Sequence, residues 1–274
     1  MKKIVAFLLC MGMTMGVLAG CGSSATEETA EPAAESAEAT EDTAESTDEK
    51  TWIIASDTSF KPFEYTDENG DFVGIDVDIM NAIAEDQGFK VEIQSLGWDA
   101  AIAACQAGQA DGMIAGASIT EERQNNGWIF SDGYYDAAQC MAVKDDSDIT
   151  GFEGLEGKTV GVKTATMSAD YAESLKDEYG FTITYYEDSA TMYQSIIGGQ
   201  DAACFDDAPV MAAYIKENNI AMKLVEGTEN EPAEYGFAIF NEENQELIDM
   251  FNAGLANIKA NGVYDEIIAK YLGE

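Results

Sequence analysis

Along residues 50–274 the apolar positions follow two periods. "TWIIAS" (51–56), "FKVEIQ" (89–94) and the short apolar "DGMIAG" (111–116) read as strands. Apolar residues at helical spacing from about Asp78 to Gln87, closed by Gly88, and again across "WDAAIAACQAG" (98–108) read as helices. The order is β-α-β-α-β, which predicts a mainly parallel sheet with helices on both faces. The scheme returns as strand "KTVGVK" (158–163), a helix over about 168–178, strand "FTITYY" (181–186), helix "TMYQSIIGG" (191–199), strand "DAACFD" (201–206) and a helix over about 209–217. In "AACQAGQADGMIAG" and "YQSIIGGQDAACFDD" alike, a helix ended by glycine passes through a Gln/Asp turn into a buried strand with polar groups at its end. Two like α/β lobes are the economical reading.

The first 49 residues follow neither period. "MKKIVAFLLCMGMTMGVLAGC" sets two lysines before an apolar run too short to span a bilayer, then small residues before a cysteine, which reads as an export signal over residues 1–20. Leu18-Ala19-Gly20-Cys21 resembles the bacterial lipobox, implying cleavage before Cys21, acylation of its sulfur and a lipid anchor on the outer face of the plasma membrane. Between Gly22 and Glu49 there are ten acids, no base and no large apolar side chain. Such a stretch cannot bury enough surface to offset chain ordering, so residues 21–49 are expected to form a disordered, self-repelling tether behind the acylated cysteine.

Charge and composition narrow the chemistry. The net charge is −38, and residues 50–274 carry −30 of it, a field that repels phosphate backbones and excludes nucleic acid as a partner. Histidine is absent, which removes Ser-His-Asp triads, Cys-His dyads and histidine-bearing zinc sites. Cys105, Cys140 and Cys204 sit among small or apolar residues and are read as buried thiols; whether two of them pair stays open. "DENGDFVGIDVD" loosely imitates a calcium loop through Asp67, Asn69, Asp71 and Asp78. Phe72 stands where the sharp turn needs glycine, however, and the last position is not the usual glutamate. A hairpin turn without metal is the expectation.

The chain contains one arginine, Arg123, in "AGASITEERQ". Ligands of open α/β sheets bind beyond the carboxyl ends of the strands. Gly116 and Ser118 lie there in the first block, Asp206 and Asp207 in the second. If the lobes face each other, one supplies a cation and donors and the other an anion. A free α-amino acid needs both, because an unpaired buried ion is very costly. A guanidinium grips a carboxylate through two parallel bonds as lysine cannot, while Asp207 and the Ala115 carbonyl could take the ammonium. On spacing alone, "ITEERQ" fits equally well the first turn of a helix with a solvated arginine in an ion pair.

"ASDTSFKPFEYTDENGDFVGIDVDIMNAIAED", "DGMIAGASITEERQ", "FSDGYY" and "GVYDEIIAKYLGE", in this order and spacing, resemble the polar-amino-acid family of solute-binding proteins of bacterial ABC importers. The resemblance covers nearly all of residues 50–274. It implies an α/β, two-lobed periplasmic-binding-protein fold of type II with two parallel-sheet lobes joined by two hinge strands. Residues 50–137 would form lobe 1, 138–231 lobe 2, and 232–274 a return segment of lobe 1, with crossings near Tyr134–Ala138 and Glu231–Tyr235.

Carried over by position, the carboxylate clamp falls on Arg123 and Ser118, with backbone N–H groups near Thr166 and Met167. The ammonium grip falls on Asp207, the Ala115 carbonyl and the Ser118 hydroxyl, beside Gly116. Phe60 and Trp98 take the places of aromatics that sandwich the ligand's carbon chain, though either could be ordinary core. Asp57 and Lys163 match positions that contact the side-chain amide in glutamine-binding members. Asp206 stands where a histidine is usual, and Met167 replaces a small residue.

The resemblance implies a monomeric, lipid-anchored binder without turnover or cofactor. It would capture a polar L-amino acid, glutamine first and a basic amino acid second, by hinge closure and deliver it to membrane permease subunits. Two alternatives remain. An enzyme on the same fold, like cyclohexadienyl dehydratase, would use Asp206 as an acid. An amino-acid sensory receptor would be expected to continue into a membrane helix and an intracellular module.

Overall fold

The computed structural model describes residues 50–273, so the export signal, Cys21 and the acidic tether lie outside the described residues. No helix among the described residues is long and apolar enough to cross a membrane. The chain first builds β1 (Thr51–Ser56), β2 (Ser59–Phe60), β3 (Glu64–Thr66), β4 (Phe72–Val73), α1 (Ile75–Gln87) and β5 (Lys90–Ser95). There follow α2 (Trp98–Gln106), β6 (Gly112–Met113), α3 (Glu121–Asn125), β7 (Ile129–Phe130) and β8 (Tyr135–Ala137). The next stretch holds β9 (Gln139–Lys144), β10 (Thr159–Lys163), α4 (Met167–Tyr179), β11 (Thr182–Tyr186) and α5 (Ser189–Ile197). It ends with β12 (Ala203–Asp207), α6 (Ala208–Asn218) and β13 (Met222–Leu224), before β14 (Ala233–Tyr235), β15 (Ala238–Ile239), α7 (Gln245–Asn261) and α8 (Val263–Leu272).

These strands form two five-stranded sheets, β5-β1-β6-β15-β7 and β11-β10-β12-β9-β13. The βαβ blocks read from the sequence are parallel in both, with β1 between β5 and β6 and β10 between β11 and β12. Each sheet is completed through one reversed strand, β15 between β6 and β7 in one and β9 between β12 and β13 in the other, paired antiparallel on both sides. Apolar periodicity does not reveal those strands, because β9 ("QCMAVK") is buried on both faces and β7 and β15 are two residues long. A separate ribbon of β8 against β14 connects the two halves, with Tyr135 opposite Tyr235.

Two boundaries differ by three residues from the sequence reading. Helix α1 starts at Ile75, ahead of the expected Asp78, because Gly74 turns the chain at φ 143° and Asp76 faces inward, fully buried, where a polar turn was read. Strand β6 ends at Met113 instead of Gly116, since the Gly116 N–H goes to the Asp76 carboxylate at 2.8 Å and φ there is +56°. The 64–73 segment is a hairpin, as expected, and Asp67 accepts from the N–H groups of Asn69 (2.8 Å) and Asp71 (2.9 Å).

The first core gathers Phe63, Tyr134, Tyr235, Phe237 and Phe251 under α1 and α7. The second centres on Phe205, ringed by Phe152, Tyr171 and Phe181. Cys105, Cys140 and Cys204 are buried free thiols, as expected from their neighbours, and burial pushes Cys105 and Cys140 up to about 12.

Gly74 is fixed by contact as well as by φ: a Cβ there would lie 2.0 Å from the Phe63 carbonyl oxygen, whereas one on Gly70, at φ +89°, meets open space. Gly74→Ala should therefore cost about 3 kcal/mol or more in urea unfolding, and Gly70→Ala only about 1–2 kcal/mol. Equal losses would show that the contact with Phe63 is not what constrains α1.

Candidate ligand site between the two sheets

Strand ends from both sheets meet. Asp57 follows β1, Ala115 to Ser118 follow β6, Lys163 closes β10, and Asp206 and Asp207 close β12. Ala115, Gly116, Ser118, Lys163, Asp206 and Asp207, together with Phe60, Trp98, Arg123 and the first turn of α4, line one narrow cavity. Its open interior is only about 20 Å³, far below the roughly 300–1,000 Å³ typical of small-molecule sites, so its walls stand almost in contact. Every residue singled out from the sequence for ligand contact lines this space except Asp57, which is held to it through Lys163. The calcium-like segment takes no part in it.

Arg123 lies in the short helix α3, whose N-cap Thr120 accepts from the Arg123 N–H at 3.1 Å. The helix-turn reading of "ITEERQ" is thus correct for the backbone, but the solvated ion pair is not. The guanidinium turns inward, donates from Nη1 to the Ser118 carbonyl at 2.8 Å, and lies 5.3 and 5.2 Å from the rings of Trp98 and Trp128. Burial pulls its pKa below arginine's ordinary value, against the opposing pull of Asp170 and Asp207. Stacking between indoles suits a guanidinium, which is planar and weakly hydrated.

Across the cavity, α4 begins with Thr166 as N-cap, its hydroxyl accepting from the Ala169 N–H at 3.2 Å and donating to the Lys163 carbonyl at 2.7 Å. The first N–H groups of a helix have no intrahelical partner and favour anions. Here that turn, Thr166 to Ser168, lines the cavity with Arg123. The preceding Ala165, at φ +57°, presents a carbonyl that accepts from the Trp98 indole at 3.1 Å and from Arg123 Nη2 at 3.4 Å.

At the other end, Lys163 and Asp57 form a buried salt bridge, with the Lys163 ammonium 5.2 Å from the Phe60 ring and 5.5 Å from that of Trp98. Phe60 and Trp98 are both buried, so each packs in a core and walls the cavity at once. Gly116 is the contact point for Phe60, since a Cβ there would meet the ring at 2.6 Å. Asp206 accepts from the Tyr193 hydroxyl at 2.7 Å and from the Asp207 N–H at 2.9 Å.

Asp207 is buried and held on both oxygens, by Gln139 Nε2 at 2.5 Å and by the Tyr235 hydroxyl. Burial first, then the charge of Asp206, raises its pKa to about 6, opposed by Tyr235, Gln139 and Arg123. Burial also raises Asp206, while Ser189, Tyr193 and Lys163 pull it back. Each carboxylate oxygen has a second lone pair, so Asp207 can still accept from an ammonium group.

Sequence reasoning missed Ser168, Gln139 and Tyr235. The Ser168 hydroxyl is buried at the cavity wall with no partner among the described residues. Its signal was its place directly after Met167 in the opening turn. Gln139 and Tyr235 act only through Asp207, from far along the chain, and carried no local signal.

The family profile of bacterial extracellular solute-binding proteins, family 3, matches residues 52–274. The chain belongs to that family. An arginine-binding periplasmic protein of Mannheimia haemolytica is 32% identical, over 81% of this chain and 91% of its own. Substrate-binding domain 2 of GlnP from Lactococcus lactis, solved in an open conformation, is 41% identical over 83% of this chain and 97% of its own, with TM-score 0.59. An ancestral arginine-binding protein solved with arginine is 35% identical over 81% of this chain and 97% of its own, with TM-score 0.75. An ancestral arginine-binding protein solved with glutamine is 36% identical over 82% of this chain and 98% of its own, with TM-score 0.75.

The raised pKa of Asp207 sets a sign. A carboxyl whose folded pKa exceeds its unfolded one contributes stability that is fully present below the unfolded value and lost as pH rises through the folded value, here from about 4 to about 6. Ligand-free protein should therefore melt at lower temperature at pH 7 than at pH 5. Asp207→Asn should flatten that slope by at least about 2–4 °C, the equivalent of 1 kcal/mol in a domain of this size. An unchanged slope in the variant would place the titration elsewhere.

Proposed function

We propose that this protein captures a polar L-amino acid for an ABC importer, with glutamine the first choice and a basic amino acid the second. The observation that carries the reading is that the one arginine of the chain and a buried aspartate, reached from opposite sheets, line a single small cavity. Arg123, Ser118 and the opening turn of α4 would bind the α-carboxylate. Asp207 and the Ala115 carbonyl would take the α-ammonium, and Phe60 and Trp98 would flank the carbon chain.

At the far end Asp57 offers an acceptor and Lys163 a donor, the complementary pair that a carboxamide needs. A cationic side chain would have to approach the Lys163 ammonium. The basic alternative is favoured by the charge balance of the site, in which Asp57, Asp206 and Asp207 face only Arg123 and Lys163. A binder without turnover fits the hydrogen bonding, because Asp206 is occupied by Tyr193 and the Asp207 N–H and is not free to act as an acid.

The strands β8 and β14 would serve as the hinge, dividing lobe 1 (50–137 and 232–274) from lobe 2 (138–231). The better superposition with ligand-bound relatives than with an open one supports taking the described arrangement as closed. Acylated Cys21 and the acidic tether would keep the binder, as a monomer, on the outer face of the membrane beside its permease.

Residues 50–274, unfolded and refolded to strip carried-over ligand, are expected to be stabilised by L-glutamine and not by its D-isomer, since stabilisation follows ligand concentration over dissociation constant. Calorimetry on Arg123→Ala and on Asp207→Asn should show affinity reduced by about 100-fold or more, the usual cost of stranding one partner of a buried charge pair. Below about pH 6 wild-type affinity should fall, because the ammonium requires ionised Asp207. Stabilisation by arginine, lysine and ornithine alone would replace glutamine by the basic reading. Retained affinity in Arg123→Ala would overturn the site.

A further inference from the structure

Behind the cavity wall lie two acids that the binding site does not use. Glu64 opens β3 and Asp76 sits in the first turn of α1, and both are fully buried. Asp76 Oδ2 accepts from the Gly116 N–H at 2.8 Å and from the Tyr134 hydroxyl at 2.7 Å. Asp76 Oδ1 and both carboxyl oxygens of Glu64 have no donor among the described residues, and the two acids are neighbours, since the Asp76 N–H donates to the Phe63 carbonyl at 2.9 Å and each carboxyl acts on the other. Two ionised carboxylates buried side by side are prohibitively unfavourable. One proton between them satisfies an oxygen on each side and removes one charge.

We infer that Glu64 is held as a neutral acid donating a hydrogen bond to Asp76, and that this pair positions the ligand-gripping loop at Gly116 and the connecting strand at Tyr134. The assignment of the proton follows from the donors. Asp76 already has two, as an anion requires, whereas Glu64 has none and is left to be the acid. The other charged or titratable groups that act on Glu64 are Asp57, which disfavours ionisation, and Lys163, which favours it. Burial outweighs both and pushes Glu64 well above the ordinary glutamate range. Burial also raises Asp76, to about 6, against the pull of Tyr134 and the Gly116 N–H.

What the pair holds gives it a role in binding. Gly116 lies between the Ala115 carbonyl and Ser118 in the loop proposed to grip the ligand, at φ +56° and against the Phe60 ring. With its N–H drawn to Asp76, the Gly116 peptide has a fixed orientation. Tyr134 comes immediately before β8. Its N–H donates to the Tyr235 carbonyl at 2.8 Å and its own carbonyl accepts from the Tyr264 hydroxyl at 2.6 Å. Glu64 and Asp76 are positioning residues, since neither lines the cavity. Their effect on ligand affinity rests on the proposed function; the shared proton does not.

Infrared spectra of wild-type protein at pH 8, where ordinary carboxyls are ionised, should show a protonated-carboxyl band that shifts on carbon-13 labelling of glutamate and disappears in Glu64→Gln. Absence of the band, or a shift on labelling aspartate alone, overturns the inference without requiring any variant to fold. Glu64→Gln keeps a donor of the same shape and should bind the amino acid within about threefold of wild type, while Glu64→Leu strands Asp76 Oδ1 and should lose about tenfold or more.

A raised carboxyl pKa adds stability that is lost as pH rises through the folded value, so wild-type melting temperature should decline with rising pH more steeply than that of Glu64→Gln. Parallel curves for the two proteins would count against the shared proton. Failure of wild-type protein to bind any amino acid would sink the proposed function and leave the infrared and pH results to decide the pair.

Discussion

No charge leaves water without a partner, and the interior of this molecule is organised around that constraint. Asp57, Glu64, Asp76, Asp206 and Asp207 are all buried, against a buried Lys163 and a partly buried Arg123. Each has found a different remedy. Asp57 takes the ammonium of Lys163, Asp206 takes a phenol and a backbone N–H, and Asp207 takes an amide and a phenol. The guanidinium of Arg123 has two carbonyls and two indole faces but no carboxylate among the described residues. It is the group with most to gain from an incoming anion.

These remedies depend on small features of the chain. Gly116 can adopt φ +56° and still let Phe60 close over it, which brings an aromatic wall and a backbone N–H to the same point. Gly74 lets the backbone pass the Phe63 carbonyl so that α1 starts early enough to put Asp76 inside. Ala165 holds a left-handed conformation that glycine would adopt more readily, and its carbonyl receives donors from Trp98 and Arg123 in return.

The parallel halves of both sheets were legible because their strands and helices differ in apolar period and are punctuated by glycine, as at Gly88 and Gly180. The strands added by antiparallel pairing were not, since β7 and β15 are too short to show a period and β9 runs apolar without alternation from Cys140 to Val143. In the site, Arg123 stood out by being alone of its kind, and Asp206 and Asp207 by ending an apolar run. Ser168, Gln139, Tyr235 and the Glu64–Asp76 pair were hidden. Their meaning lies in partners that sequence spacing does not reveal: Gln139 meets Asp207 across 68 residues and Asp76 meets Gly116 across 40.

The same groups that would face a ligand also connect the two sheets. Lys163 to Asp57, Trp98 and Arg123 to the Ala165 carbonyl, and Tyr235 to Asp207 each run from one half to the other. At the rim, Lys61 pairs with Glu217 with both side chains about a third exposed, a position where an ion pair contributes only about 0–1 kcal/mol. The interior contacts therefore contribute more than this pair to holding the halves together. A ligand can favour one arrangement only through interactions it makes better there. At the proposed site, a carboxylate between Arg123 and the opening turn of α4 would meet that condition, because its two sets of donors come from different halves. The 3.4 Å contact from Arg123 Nη2 to Ala165 is long for a charge-assisted bond, whereas Nη1 is well placed at 2.8 Å on Ser118. The second guanidinium arm is thus the one that an anion would engage most favourably, and doing so would strengthen the link across the cleft at its weakest polar contact.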